Sequence, residues 1–257
     1  MLLARVIEAY WRSMRRSWIA EAVPSVAQPV ILMAVFAGLL ARQVSEHVSD
    51  WGAPATFGYA QYAAIGIACS SGVLAGAMEA THSAYSGFRF NEKFKTIVTT
   101  PVSARVLALG LLSVAFIESA ALTAALLLLA TPVLAGSGLV WLLPFMLVSG
   151  LACTAVSAAL CAIIALHHKT PQILNITGRV ALFPLMLFSA TYFPSTVLPG
   201  WLRYLPDAFP LIHANVTLRA LYAGHWRVLP VNLAVLVAWS VVGGSAMIWA
   251  FGRELHR

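Results

Sequence analysis

Between Leu139 and Leu166 the chain carries no charged side chain at all, and that stretch rules out most of what 257 residues can fold into. About 20 consecutive apolar residues let a helix cross the roughly 30 Å hydrocarbon layer of a bilayer, where the backbone must satisfy its own hydrogen bonds. Five other stretches are built alike: about Val23 to Ala41, Tyr59 to Met78, Val106 to Ala130, one starting near Ile173, and Val228 to Phe251. The sequence therefore predicts an all-α polytopic membrane protein with six transmembrane helices, organised as a single transmembrane domain over residues 1–257. Composition agrees, since 60% of residues are hydrophobic and 10% charged, against about 25% charged in soluble domains.

The net charge of +7 invites a nucleic-acid reading, but the basic residues gather at the ends of apolar runs, where lipid headgroups and orientation account for them. No nucleic-acid partner is expected. Eleven of the 16 Lys and Arg residues fall in the N-terminal segment, the 79–105 loop, the loop after the fourth span and the tail. Arg42, Arg203, Arg219 and Arg227 fall on the other side, and Arg179 lies near the start of the fifth span. The excess of positive charge marks the cytoplasmic face, so both termini are expected there. The apolar run after residue 21 is longer than a signal-peptide core and reads as the first membrane helix.

Residues 1–21 separate on a helical wheel. Leu3, Val6, Ile7, Tyr10, Trp11, Met14 and Trp18 take one side, with Arg5, Glu8, Arg12, Arg15 and Arg16 on the other. That pattern is an interfacial helix lying on membrane lipids, or a charged face docked on the protein's own loops. The second span holds Gly72 and Gly76, and Ala64 and Ala68, at the spacing that lets helices approach closely, either within the bundle or between subunits. Within 88–98, Phe90, Phe94, Ile97 and Val98 share one face of a short helix, while Arg89, Glu92, Lys93 and Lys95 occupy the rest. It is a knob for a soluble partner or a helix flat on the headgroups. Ser103 is placed to cap the helix that follows.

Two further features bear on function. Glu118 sits mid-span, where a carboxylate costs about 2.5 to 3.5 kcal/mol, so it faces a cavity, takes a proton or has a partner. It is a candidate for a substrate path or for proton coupling, and equally for a buried group satisfied by neighbouring hydroxyls. Residues 192–218 are apolar yet interrupted by Pro194, Pro199, Pro206 and Pro210. Proline removes a backbone donor and clashes one turn back. The segment is therefore expected as short half-helices that re-enter the membrane face between spans five and six, with Tyr192, Phe193, Pro194, Leu198, Pro199 and Trp201 lining a gate.

Catalytic patterns are missing. The three lysines follow Glu92, Phe94 and His168, so no Gly-Lys-Ser/Thr phosphate loop is encoded. HExxH and GxSxG are absent, and His167 and His168 are adjacent rather than at ligand spacing. No metal, cofactor or catalytic residue is assigned, and the chain is not expected to be an enzyme.

The Thr100-Pro101-Val102-Ser103 run and the series Phe193-Pro194, Leu198-Pro199, Leu205-Pro206, Pro210-Leu211 and Arg219 resemble those of ABC-2 type exporter permease subunits, including the nodulation protein J and drug-exporter branches. The likeness extends over nearly the whole length. It implies that 88–98 is the coupling helix, with Phe90, Glu92, Lys93, Phe94 and Lys95 coupling to a separate ABC ATPase dimer. It also implies a second permease subunit and a re-entrant pair closing the outer mouth. ATP and Mg would be handled by the partner alone. Localisation would be the bacterial inner membrane, multi-pass, and the cargo an amphipathic or hydrophobic lipid, lipid-linked saccharide or drug moved outward. Where the family often carries Gly before the Phe-Pro pair, this chain has Ala190, and Lys95-Thr96 replaces the favoured Gly-Thr. The competing function is a proton-coupled secondary transporter using Glu118, which usually shows an internal repeat; none is found.

Overall fold

The computed structural model describes residues 18–43, 58–89, 94, 103–134, 138–170, 172–195 and 198–255, and every regular element among them is helical. Helix α1 spans Trp18–Met33 and continues through a π turn, Ala34–Leu39, and a 3-10 turn, Leu40–Arg42. Helices α2 (Tyr59–Arg89), α3 (Ala104–Leu129) and α4 (Gly138–His167) are long and continuous. A composite α5 covers Ile173–Phe188; α6 is Pro210–Ala223 and α7 is Leu229–Leu255.

Five of these elements are long and apolar enough to cross a bilayer: α1 with its following turns, α2, α3, α4 and α7. The stretch expected as the fifth span differs. It is 16 residues long, a rise of about 24 Å at 1.5 Å per residue. Its middle, Thr177–Leu182, is wound as a π turn directly ahead of Pro184. A proline ring excludes the carbonyl one turn back, and a widened turn accommodates that exclusion. In contrast, α2 runs to Arg89 rather than stopping near Met78, and its 31 residues rise about 46 Å, well beyond the hydrocarbon thickness. Its last turn takes in Phe88 and Arg89, the first two residues of the expected 88–98 helix. Ser103 caps α3 by accepting from the Val106 amide at 3.4 Å, as its position predicts.

The bundle is arranged around α2, which packs against α1, α3, α4 and α6. Small residues make this possible. A methyl group at Gly72 would meet Thr123 Oγ1 at 2.2 Å and the Ser119 carbonyl at 2.7 Å; at Gly76 it would meet the Ala115 carbonyl at 2.6 Å and Cys153 Sγ at 2.7 Å. Both glycines thus serve close contact within this chain's own bundle. Helix α7 lies along α4, with Gly243 against Ala158 and Ser240 donating to the Leu151 carbonyl at 3.3 Å. The outward faces of α1 and α7 expose Val23, Ile31 and Leu39, and Val231, Val241, Val242 and Trp249. In a bilayer such faces are solvated by lipid. Cys69, Cys153 and Cys161 are buried and unpaired by disulfides.

Candidate functional site

The chain leaves helix geometry at Ser189–Thr191, between α5 and the proline-rich segment, and four buried side chains from other helices gather there. Ala190 has φ 54°, a left-handed conformation that costs an L-residue about 1–2 kcal/mol and that glycine adopts freely. The Tyr62 hydroxyl donates to the Ala190 carbonyl at 3.1 Å, and Asn215 Nδ2 donates to the Ser189 carbonyl at 2.8 Å. Ser70 Oγ and Thr191 Oγ1 share a hydrogen bond of 2.7 Å, and Asn215 Nδ2 also donates to Ser70 Oγ at 3.1 Å. Asn215 is fully buried, and among the described residues its Oδ1 has no donor.

Arg219 completes the joint. Its Nη2 donates to the Tyr62 carbonyl at 3.0 Å and to the Thr191 carbonyl at 3.2 Å, its Nε donates to the Tyr62 carbonyl at 3.3 Å, and the guanidinium carbon lies 3.4 Å from the Tyr62 ring centroid. Among the described residues, the titratable groups acting on it are Tyr62, Cys69 and Tyr59, none of them a carboxylate. A buried guanidinium is expensive to desolvate. Charge-assisted hydrogen bonds of about 1.5–3 kcal/mol each, together with a desolvated cation–π contact of about 2 kcal/mol, offset that cost here. Arg219 thus acts as a built-in cation that satisfies the Thr191 carbonyl where the helix breaks and ties it to the Tyr62 carbonyl of α2. The approach requires Gly66, where a Cβ would lie 2.3 Å from Arg219 Nη2 and 2.4 Å from the Thr191 carbonyl oxygen. Arg219 is 8% exposed, so it is a buried cation on α6 rather than a solvated charge.

Register explains the pairing. Tyr62, Gly66 and Ser70 recur every four residues on one face of α2, and Asn215 and Arg219 do so on α6, so two helical stripes meet. This cluster is not singled out in the sequence, because Arg219 enters only as a charge in the orientation count and Tyr62, Ser70 and Asn215 carry no motif. The i, i+4 spacing of Asn215 and Arg219 inside an apolar helix was the available signal.

The expected gate residues lie just beyond the joint. Tyr192 is half-buried with its ring 4.6 Å from Phe36 of the π turn after α1, and its hydroxyl lies 3.8 Å from Met186 Sδ. Phe193 and Leu198 are half-buried, Pro194 is buried, Pro199 is exposed and Trp201 is 74% exposed. Two 3-10 turns, Gly200–Tyr204 and Pro206–Ala208, lead into α6, so the broken segment is two short turns and one 14-residue helix. His213 ties it to α7, with Nδ1 2.7 Å from Asn232 Oδ1 and Nε2 3.0 Å from the Asp207 carbonyl. Tyr222 ties the far end of α6 to the Leu134 carbonyl at 3.2 Å.

Glu118 is elsewhere, half-buried on α3 beside Ser119, whose hydroxyl donates to the Ser149 carbonyl at 3.3 Å, and within electrostatic reach of Cys153. Arg179 is exposed on the π turn of α5. Of the coupling residues, Phe94 is described and is 2% exposed; Phe90, Glu92, Lys93 and Lys95 lie outside the described residues. So do Arg5, Trp11, Arg12, Arg15 and Arg16; Trp18 opens α1, and only its backbone is described.

Compared with known protein families, the chain matches the one described as ABC-2 type transporter, over residues 1–222. No curated protein and no solved structure matches it.

Proposed function

The chain belongs to the ABC-2 type transporter family, and from that premise we propose that it is the permease of an exporter moving an amphipathic or hydrophobic cargo outward. Membership makes it a multi-pass membrane component that works with an ABC ATPase rather than carrying an ATPase site of its own. Two permease subunits, alike or different, enclose the path with a pair of ATPases that bind ATP and Mg on the cytoplasmic side of a bacterial inner membrane, where both termini lie. The 88–98 segment meets the ATPase, and residues 192–218 close the outer mouth.

What supports this reading is the pairing of the family match over 1–222 with the polar joint. Non-helical backbone at membrane depth persists where protein satisfies it or where it lines a water-filled cavity. The break at Ser189–Thr191 is satisfied in this way, because α2 and α6 supply its donors. Glu118, Tyr192, Phe193, Pro194, Leu198, Pro199 and Trp201 are assigned to the cargo path or its gate. The test is reconstitution in vesicles with the ATPase and a fluorescent lipid probe. Flux that requires ATP and stops with a hydrolysis-dead ATPase is expected; flux from the permease alone refutes the proposal.

A further inference from the structure

Beyond the end of α2 at Arg89, Phe94 of the coupling segment is described, and it points inward. Phe94 is 2% exposed; its ring centroid lies 4.9 Å from Phe88 in an edge-to-face arrangement (86°) and 5.8 Å from Phe251. Phe251, fully buried near the end of α7, meets Phe88 edge-to-face at 5.0 Å. His168, just beyond α4, stacks on Phe88 at 5.3 Å. The socket is open to Phe94 because residue 87 is glycine, where a Cβ would come within 2.4 to 2.6 Å of the Phe94 ring. Arg89 Nη1 adds a bond of 3.0 Å to the Lys169 carbonyl, holding the ends of α2 and α4 together.

A ring so enclosed offers almost no surface to a partner protein, whatever its neighbours in sequence do. It does contact, at one point, the ends of two spans directly and of a third through Phe88. Interlocked aromatic rings at native packing density transmit displacement rather than absorb it. We infer that Phe94 is a positioning residue, a ball seated in a socket of Gly87, Phe88 and Phe251 that passes movement of the coupling segment to α2 and α7. The inference rests on the coupling reading of 88–98 and narrows it. Glu92, Lys93 and Lys95 are left to contact the ATPase, while Phe94 carries the displacement inward.

The experiment uses the complete transporter with its ATPase bound, spin labels at His82→Cys and Arg253→Cys, and three readouts: ATPase retained on purification, ATP hydrolysis, and the label distance with and without Mg-ATP and vanadate. The labelled parent protein is expected to show a nucleotide-dependent distance shift. Phe94→Ala keeps the ATPase bound and hydrolysing but loses the shift, and Phe94→Leu restores most of it. Where Phe94→Ala fails to accumulate, Gly87→Ala, which displaces the ring without removing it, is expected to reduce the shift with the ATPase still bound. A full shift in Phe94→Ala or Gly87→Ala overturns the inference, as does loss of ATPase binding in either or absence of any shift in the parent. Failure of the underlying coupling reading shows separately, as undiminished ATPase binding after charge reversal at Glu92, Lys93 and Lys95.

Discussion

Replacing Gly66 by alanine isolates the polar joint with a single methyl group. That methyl would sit 2.3 Å from Arg219 Nη2 and 2.4 Å from the Thr191 carbonyl, too close for either to remain. Overpacking a filled interior costs about 1–3 kcal/mol. Displacing Nη2 forfeits a charge-assisted bond to the Thr191 carbonyl, about 1.5–3 kcal/mol. Alanine returns about 1 kcal/mol through its helix propensity, leaving a net loss of about 1.5–5 kcal/mol. For a chain of this size that lowers the unfolding midpoint by roughly 10 °C. Gly244→Ala is the control, because a methyl there meets nothing within 4 Å, and it is expected to leave the midpoint unchanged or raise it slightly. Thermal unfolding of both variants in the same detergent decides the matter. Gly66→Ala matching Gly244→Ala within two or so degrees would show that Arg219 does not hold the break as described.

Ala190→Gly relieves a left-handed residue and gives back part of the gain through a freer unfolded chain, so the midpoint should rise by about 2 °C; a fall contradicts the strained joint. Gly72→Ala and Gly76→Ala drive methyls into α3 and α4, and should lower the midpoint of the isolated subunit without changing its oligomeric mass by light scattering. Dissociation at an unchanged midpoint would favour the subunit-contact reading instead. Glu118→Gln should reduce ATP-driven export in reconstituted vesicles while the protein accumulates normally, and unimpaired export would remove Glu118 from the cargo path.

Much of the architecture could be read directly, because apolar runs bounded by charge leave helices as the only economical answer and the turn residues mark their ends. Ser103 capped its helix and Pro184 disturbed its own. What the pattern could not show was length against context: α2 continues to Arg89 because its polar extension still packs, through Gly87 and Phe88, on Phe94 and Phe251. Nor could hydropathy distinguish a loop arginine from a buried one. Arg219 looks like a boundary charge until Gly66 and Tyr62, more than 150 residues earlier, are seen to face it. The prolines marked where the chain breaks, while the groups that hold the break at Ser189–Thr191, namely Tyr62, Ser70, Asn215 and Arg219, are ordinary residues made special only by register.

Isolating the chain from its native membrane in mild detergent and assaying ATP hydrolysis decides whether a separate ATPase drives this subunit. A bound ABC ATPase that hydrolyses ATP, and is lost when Glu92, Lys93 and Lys95 are charge-reversed, is the expected result. A preparation that moves a fluorescent lipid across vesicles with no nucleotide hydrolase present would contradict it.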